Sequence, residues 1–77
     1  MSKKVIYYQE ATVLKSYDTF VAVKRVAAED MVTQQHYSKT TTRQINEFFG
    51  GSEVTKGAEK VSQELLDVMG KFIEAHQ

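Results

Sequence analysis

Tyr37-Ser38-Lys39-Thr40-Thr41-Thr42-Arg43-Gln44-Ile45-Asn46-Glu47-Phe48-Phe49-Gly50-Gly51 divides the chain into two halves of different character. The residues before it are strand-formers in short alternating runs, and those after it follow a helical pattern. The stretch itself reads as a strand end, a capped helix and a glycine stop. Thr41 and Gln44 fit a capping box, in which the Thr hydroxyl accepts from the third helical N–H and the Gln side chain reaches back to the cap's own N–H. Ile45, Phe48 and Phe49 then share one helical face. Gly50 supplies the left-handed conformation that closes a helix without a Cβ penalty. A short helix from about Thr41 to Phe49 is therefore expected.

Upstream, Lys3 to Lys15 is rich in Val, Ile, Tyr and Thr, which suit a pleated sheet. Gln9-Glu10 marks either a bulge or a break between two shorter strands. Ser16-Tyr17-Asp18-Thr19 is a turn, because Ser and Asp side chains bond their own backbone nearby. A second strand runs from Thr19 to Val26, with Phe20, Ala22, Lys24 and Val26 on one side and Val21, Val23 and Arg25 on the other. Ala27 to Asp30 makes the next turn and Met31 to Tyr37 a third strand. Such short connections favour an antiparallel meander.

Downstream of Gly50-Gly51, a long helix begins at Ser52 or Thr55. Val54, Ala58, Val61, Leu65, Val68 and Phe72 recur at alternating intervals of four and three, and Leu66, Met69 and Ile73 form a second row beside them. The combined face is wider than a coiled-coil seam. One row packs on the sheet and leaves the other for a further contact. Gly70 weakens this helix by about 1 kcal/mol relative to Ala and marks a close crossing or a frayed last turn. The expected fold is α+β, with residues 1–77 as a single domain. A three-stranded antiparallel β-meander is followed by a short helix and a long amphipathic C-terminal helix across one sheet face.

Seventy-seven residues lie near the lower limit for a self-sufficient core. With no cysteine, disulfides, zinc fingers and iron–sulfur centres are excluded. Two histidines are too few for an all-imidazole metal site, and no cofactor is expected. Self-association is the staple left to such a chain. Lack of cysteine fits a reducing cytoplasm. No apolar run reaches the roughly 18 residues of a membrane span and no signal-peptide core follows Lys3-Lys4, so a complete, soluble, cytoplasmic protein is expected. The net charge of zero conceals an asymmetry: residues 1–43 carry seven basic against four acidic side chains, and residues 44–77 three against six.

Catalytic constellations are absent. No Gly-x-Ser-x-Gly surrounds a serine. His76 beside a helix end suits the dipole better than a metal, and His36 reads as a surface or half-buried residue. Gly50-Gly51-Ser52 lacks the Lys-Ser/Thr of a phosphate loop and reads as a helix stop and restart. Lys15, Lys24, Arg25, Lys39 and Arg43 interleave with Tyr8, Tyr17 and Tyr37 as nucleic-acid-binding sheets do. Lys24 and Arg25, however, are strand neighbours and point to opposite faces. Within Thr40-Thr41-Thr42, capping accounts for one Thr.

Ser16-Tyr17-Asp18-Thr19-Phe20-Val21-Ala22, followed by Tyr37-Ser38-Lys39-Thr40-Thr41-Thr42-Arg43-Gln44-Ile45-Asn46-Glu47-Phe48, resembles a pattern in small proteins of bacteriophages and mobile elements. These have a Ser-Tyr-x-Thr-x-Val-Ala strand and a Tyr-Ser-x-Thr-Thr helix start, often with His in place of Gln44. The resemblance spans roughly residues 13–49 and carries no established activity. It implies a phage accessory protein, a class whose members bind host machinery stoichiometrically, anti-CRISPR inhibitors among them. The resulting expectation is a non-enzymatic protein-binding module, an inhibitor or modulator of a host protein, acting as a homodimer. Val61, Leu65, Val68, Met69, Phe72 and Ile73 are the candidates for self-association. Tyr7, Tyr8, Tyr17, Arg25, Tyr37 and Arg43 are the candidates for partner binding, since Tyr and Arg dominate interface hot spots. The alternative is a small nucleic-acid-binding regulator using a basic, tyrosine-bearing sheet face.

Overall fold

A computed structural model describes residues 3–75 of the chain. It is α+β, with a single sheet in the order β1-β2-β3-β4-β5. Strands β1 (Lys3–Tyr7), β2 (Ala11–Ser16), β3 (Thr19–Arg25) and β4 (Met31–Thr33) form an antiparallel meander. Helices α1 (Lys39–Phe49) and α2 (Ser52–Gly57) then carry the chain to β5 (Glu59–Val61), which lies parallel to β4, and α3 (Gln63–Ala75) follows.

The first expected strand is two. Tyr8 N–H donates to Ala11 O at 2.8 Å, closing a tight turn at Gln9-Glu10 that folds the segment into the β1–β2 hairpin. The third is shorter than expected and ends at Thr33. The expected long helix does not form as one rod. After α2 the chain becomes extended, and Met31, Val32 and Thr33 pair with Glu59, Lys60 and Val61. Gly57 lowers the helical preference at the break, and pairing with β4 satisfies the backbone that a helix would otherwise have satisfied. Ala58 and Val61, three apart, point to opposite sides of an extended chain rather than sharing a helical stripe.

Both sheet faces carry a helix, where one covered face was expected. On one side Leu14, Val21, Ala22 and Val32 meet Ile45 and Phe49 of α1, with Ala58. On the other, Ala11, Val13, Phe20, Val23, Met31 and Val61 meet Leu66 of α3, against which Tyr8, Met69 and Ile73 also pack. Strict alternation in β3 fails because the register shifts between Leu14 and Lys15, from Leu14 opposite Ala22 to Lys15 opposite Phe20. Val21 is the extra residue of a bulge, so Val21 and Ala22 join the same cluster.

The cap of helix α1 lies three residues before the expected one. Ser38, with extended backbone, accepts from Thr41 N–H at 3.1 Å. Its end is as the sequence indicates: Gly50, at φ 96°, donates to Asn46 O and Glu47 O. The Tyr17-Asp18 turn joins β2 to β3 with both residues at positive φ, 51° and 63°. Among the described residues no helix is long and apolar enough to cross a membrane.

Candidate interaction surfaces

Helix α3 is anchored at both ends. Ser62 Oγ accepts from Leu65 N–H at 3.2 Å, and Glu64 sits in the positive first turn. Gln63 Nε2 donates to Phe20 O at 2.7 Å and to Asp67 Oδ1 at 2.8 Å, while Tyr37 OH donates to Gln63 Oε1 at 2.7 Å. Near the C-terminal end, Lys15 Nζ lies 3.4 Å from Glu74 Oε2. Gly70 is buried directly over the Phe20 ring, so the helix backbone approaches the sheet closely.

These anchors decide which stripe faces out. Leu66 and Gly70 are buried, and Met69 and Ile73 pack on the core. Leu65, Val68 and Phe72, at i, i+3 and i+7, are 46%, 64% and 57% exposed. Glu64 and Lys71 flank this stripe on its far side from the sheet. A groove of about 400 Å³ continues the apolar surface from Met69, Phe72 and Ile73 to Val26, Ala27 and Ala28 on the β3–β4 turn. Arg25 Nε holds that turn by donating to Glu29 O at 2.8 Å.

Of the six residues chosen from sequence for self-association, Leu65, Val68 and Phe72 form the outer stripe. Val61, Met69 and Ile73 do not: Val61 is buried in β5, and the other two pack against the core. The row beginning at Val54 and Ala58 presumed a continuous helix.

The six partner-binding candidates are dispersed. Tyr7 is exposed on β1, and Tyr8 lies on the α3 side beside Glu74. Burial, and then the charge of Glu74, raise the Tyr8 hydroxyl above its ordinary pKa of 10.0. Tyr17 and Tyr37 come together around a cavity of about 140 Å³ near Ser16 and Thr41. Partial desolvation, then Asp67, likewise raise Tyr37, which stays 41% exposed. Arg25 lies at the α3 groove, and Arg43 is exposed on α1. A helix packs against each face of the sheet, α1 on one and α3 on the other. Among the described residues no three of His, Cys, Asp and Glu cluster as metal ligands. His36 is exposed, and His76 lies outside the described residues.

Sequence reasoning missed a buried polar seam between β2 and α1. Gln44, expected to reach back to the cap, instead accepts from Ser16 Oγ through Oε1 at 2.8 Å. Ser16 Oγ also lies 3.3 Å from Thr41 Oγ1, which accepts from Ser38 Oγ at the same distance. Gln44 Nε2 is buried with no partner among the described residues. The signal was a polar residue next to Ile45 on the inward side of an amphipathic helix.

No curated protein and no solved structure matches the chain. One family profile does, over residues 1–67: a family of unknown function (DUF8033).

Proposed function

The chain belongs to the family of unknown function DUF8033, and we propose that it is a non-catalytic binding module that works as a homodimer through the outer face of α3. The observation that carries the reading is that this face is self-complementary. With Leu65 and Phe72 as a positions and Val68 as d, Glu64 and Lys71 both fall at g. In an antiparallel helix pair, g faces g across the axis, so Glu64 of each copy meets Lys71 of the other. A two-fold contact requires a surface that complements itself. A standard interface covers about 800 Å² per partner, roughly a sixth of the 5032 Å² accessible surface. A helix of about 20 Å does not supply that alone, and the Val26–Ala28 turn beside the groove extends the apolar surface.

The resemblance of residues 13–49 to phage and mobile-element proteins directs the module's other contacts toward a host protein in the cytoplasm, which it inhibits or modulates. Light scattering over a concentration series tests the dimer. A stable mass of twice 8.8 kDa is expected. Val68→Asp, at an exposed site, gives a folded monomer. Glu64→Lys and Lys71→Glu each weaken the dimer, and the double swap restores it. A strict monomer, or indifference to all three changes, refutes the reading. A salt titration with random duplex DNA separates the nucleic-acid alternative: counterion release makes such binding fall steeply with log salt. Binding that persists at physiological salt overturns protein binding as the sole activity.

A further inference from the structure

A second groove, of about 280 Å³, lies on the opposite side of the sheet between β1 and α1. Its volume sits just below the range of about 300–1,000 Å³ for small-molecule sites. Three features distinguish it from a surface dimple. First, Gln44 forms part of its wall and is only 1% exposed. Its Oε1 is committed to Ser16, which lies outside the groove, so the polar atom it has left to offer is the buried, unpartnered Nε2. Buried N–H groups are nearly always satisfied, and an orphan in a wall calls for an acceptor. Second, Lys24 also lines the groove, its ammonium 5.2 Å from the centre of the Phe48 ring, and makes no ion pair among the described residues. Third, the lining combines charge with an apolar floor: Lys3 and Lys24 against Glu47, above Val5, Leu14 and Phe48.

We propose that this groove binds the carboxylate of a small organic acid. Gln44 Nε2 donates to one carboxylate oxygen, Lys24 and Lys3 balance the charge, and the body of the acid rests on the half-buried Val5 and Phe48. The charge count selects the class. Two lysines and one glutamate leave a single positive charge, which a monoanion neutralises, whereas a phosphate dianion would leave negative charge beside Glu47. This site is independent of the α3 face and stands or falls separately from the homodimer.

The test follows the Gln44 side-chain NH₂ resonances of the full chain in a two-dimensional ¹H–¹⁵N spectrum during titration with benzoate. Benzamide is the uncharged control and inorganic phosphate the dianion. The expected result is a saturable shift of the NH₂ pair with benzoate alone. Lys24→Gln, at a half-buried site, is expected to weaken it at least tenfold. Gln44→Glu keeps an acceptor for Ser16 but faces the ligand with a like charge, and is expected to abolish binding, read from the neighbouring Glu47 and Phe48 amides. An unmoved NH₂ pair overturns the proposal and leaves the groove to water. An equal response to benzamide, a stronger one to phosphate, or indifference to Lys24→Gln overturns the carboxylate assignment.

Discussion

Gly70→Ala sets two well-understood effects against each other. In an exposed helix interior the change stabilises by about 1 kcal/mol, because glycine loses more backbone freedom. At residue 70, however, an added Cβ would lie 2.5–2.6 Å from Cδ1, Cε1 and Cγ of Phe20. Carbon contacts are comfortable at about 3.5–4.0 Å, so the ring or the helix must retreat by about 1 Å. The ring has little room, being 5% exposed within the Val13, Val23 and Leu66 cluster and capped by Lys15 Nζ at 4.7 Å. Overpacking of this kind costs about 1–3 kcal/mol. Since the clash is with three ring atoms, the upper half of that range applies, and after the helical gain the net expectation is a loss of about 1–2 kcal/mol. For a domain of this size that lowers Tm by about 4–8 °C for each kcal/mol lost. Thermal and urea unfolding of Gly70→Ala, Phe20→Leu and the double variant close the cycle. In the Phe20→Leu background, Gly70→Ala becomes neutral or stabilising. A wild-type background in which Gly70→Ala stabilises by the full helical increment would refute the close crossing of α3 over β3.

The buried seam makes its own prediction. Ser16→Ala leaves Gln44 Oε1 without its donor and costs about 1–3 kcal/mol in urea unfolding, whereas Gln44→Leu removes the orphan amide and leaves Ser16 Oγ beside Thr41 Oγ1 at 3.3 Å, so it costs less. If Ser16→Ala costs as much in the Gln44→Leu background, the coupling between the two residues is wrong. The phenols provide a pH signature. Burial raises Tyr8 and Tyr37 above 10.0, so the folded state binds more protons than the unfolded state in alkali. Their stabilising effect is complete below pH 10 and is lost as pH rises through the folded values. Ultraviolet titration of phenolate should show a late component that shrinks in Tyr8→Phe and in Tyr37→Phe. A curve unchanged by either substitution refutes the assignment.

Local signals in the sequence were legible wherever a backbone conformation demanded a residue type. Gly50 stops α1, Ser16–Thr19 and Ala27–Asp30 turn, and Ile45 and Phe49 face the sheet. Non-local pairing was not legible. Glu59–Val61 becomes a strand because β4 offers an edge, and nothing within those three residues announces it. A helical period running through Gly57 therefore merged α2, β5 and α3 into one rod. The same error divided the interface candidates: Leu65, Val68 and Phe72 lie outside, while Val61 is core. At the cap, Ser38 and Thr41 were equivalent by residue type. Ser38 is the cap, and Gln44 turns inward to Ser16, 28 residues away on β2.

The parallel return of β5 also governs how the sheet meets other sheets. Without it, the apolar Met31–Thr33 strand would be an open edge, ready to pair with any extended chain. With it, the two outermost strands are β5, with Glu59 and Lys60 exposed, and β1, with Lys3 and Lys4 exposed. Both borders are guarded by charge and one is only three residues long. Edge-to-edge stacking into fibrils is disfavoured at each end of the sheet, so an apolar strand that would invite aggregation is kept in its interior.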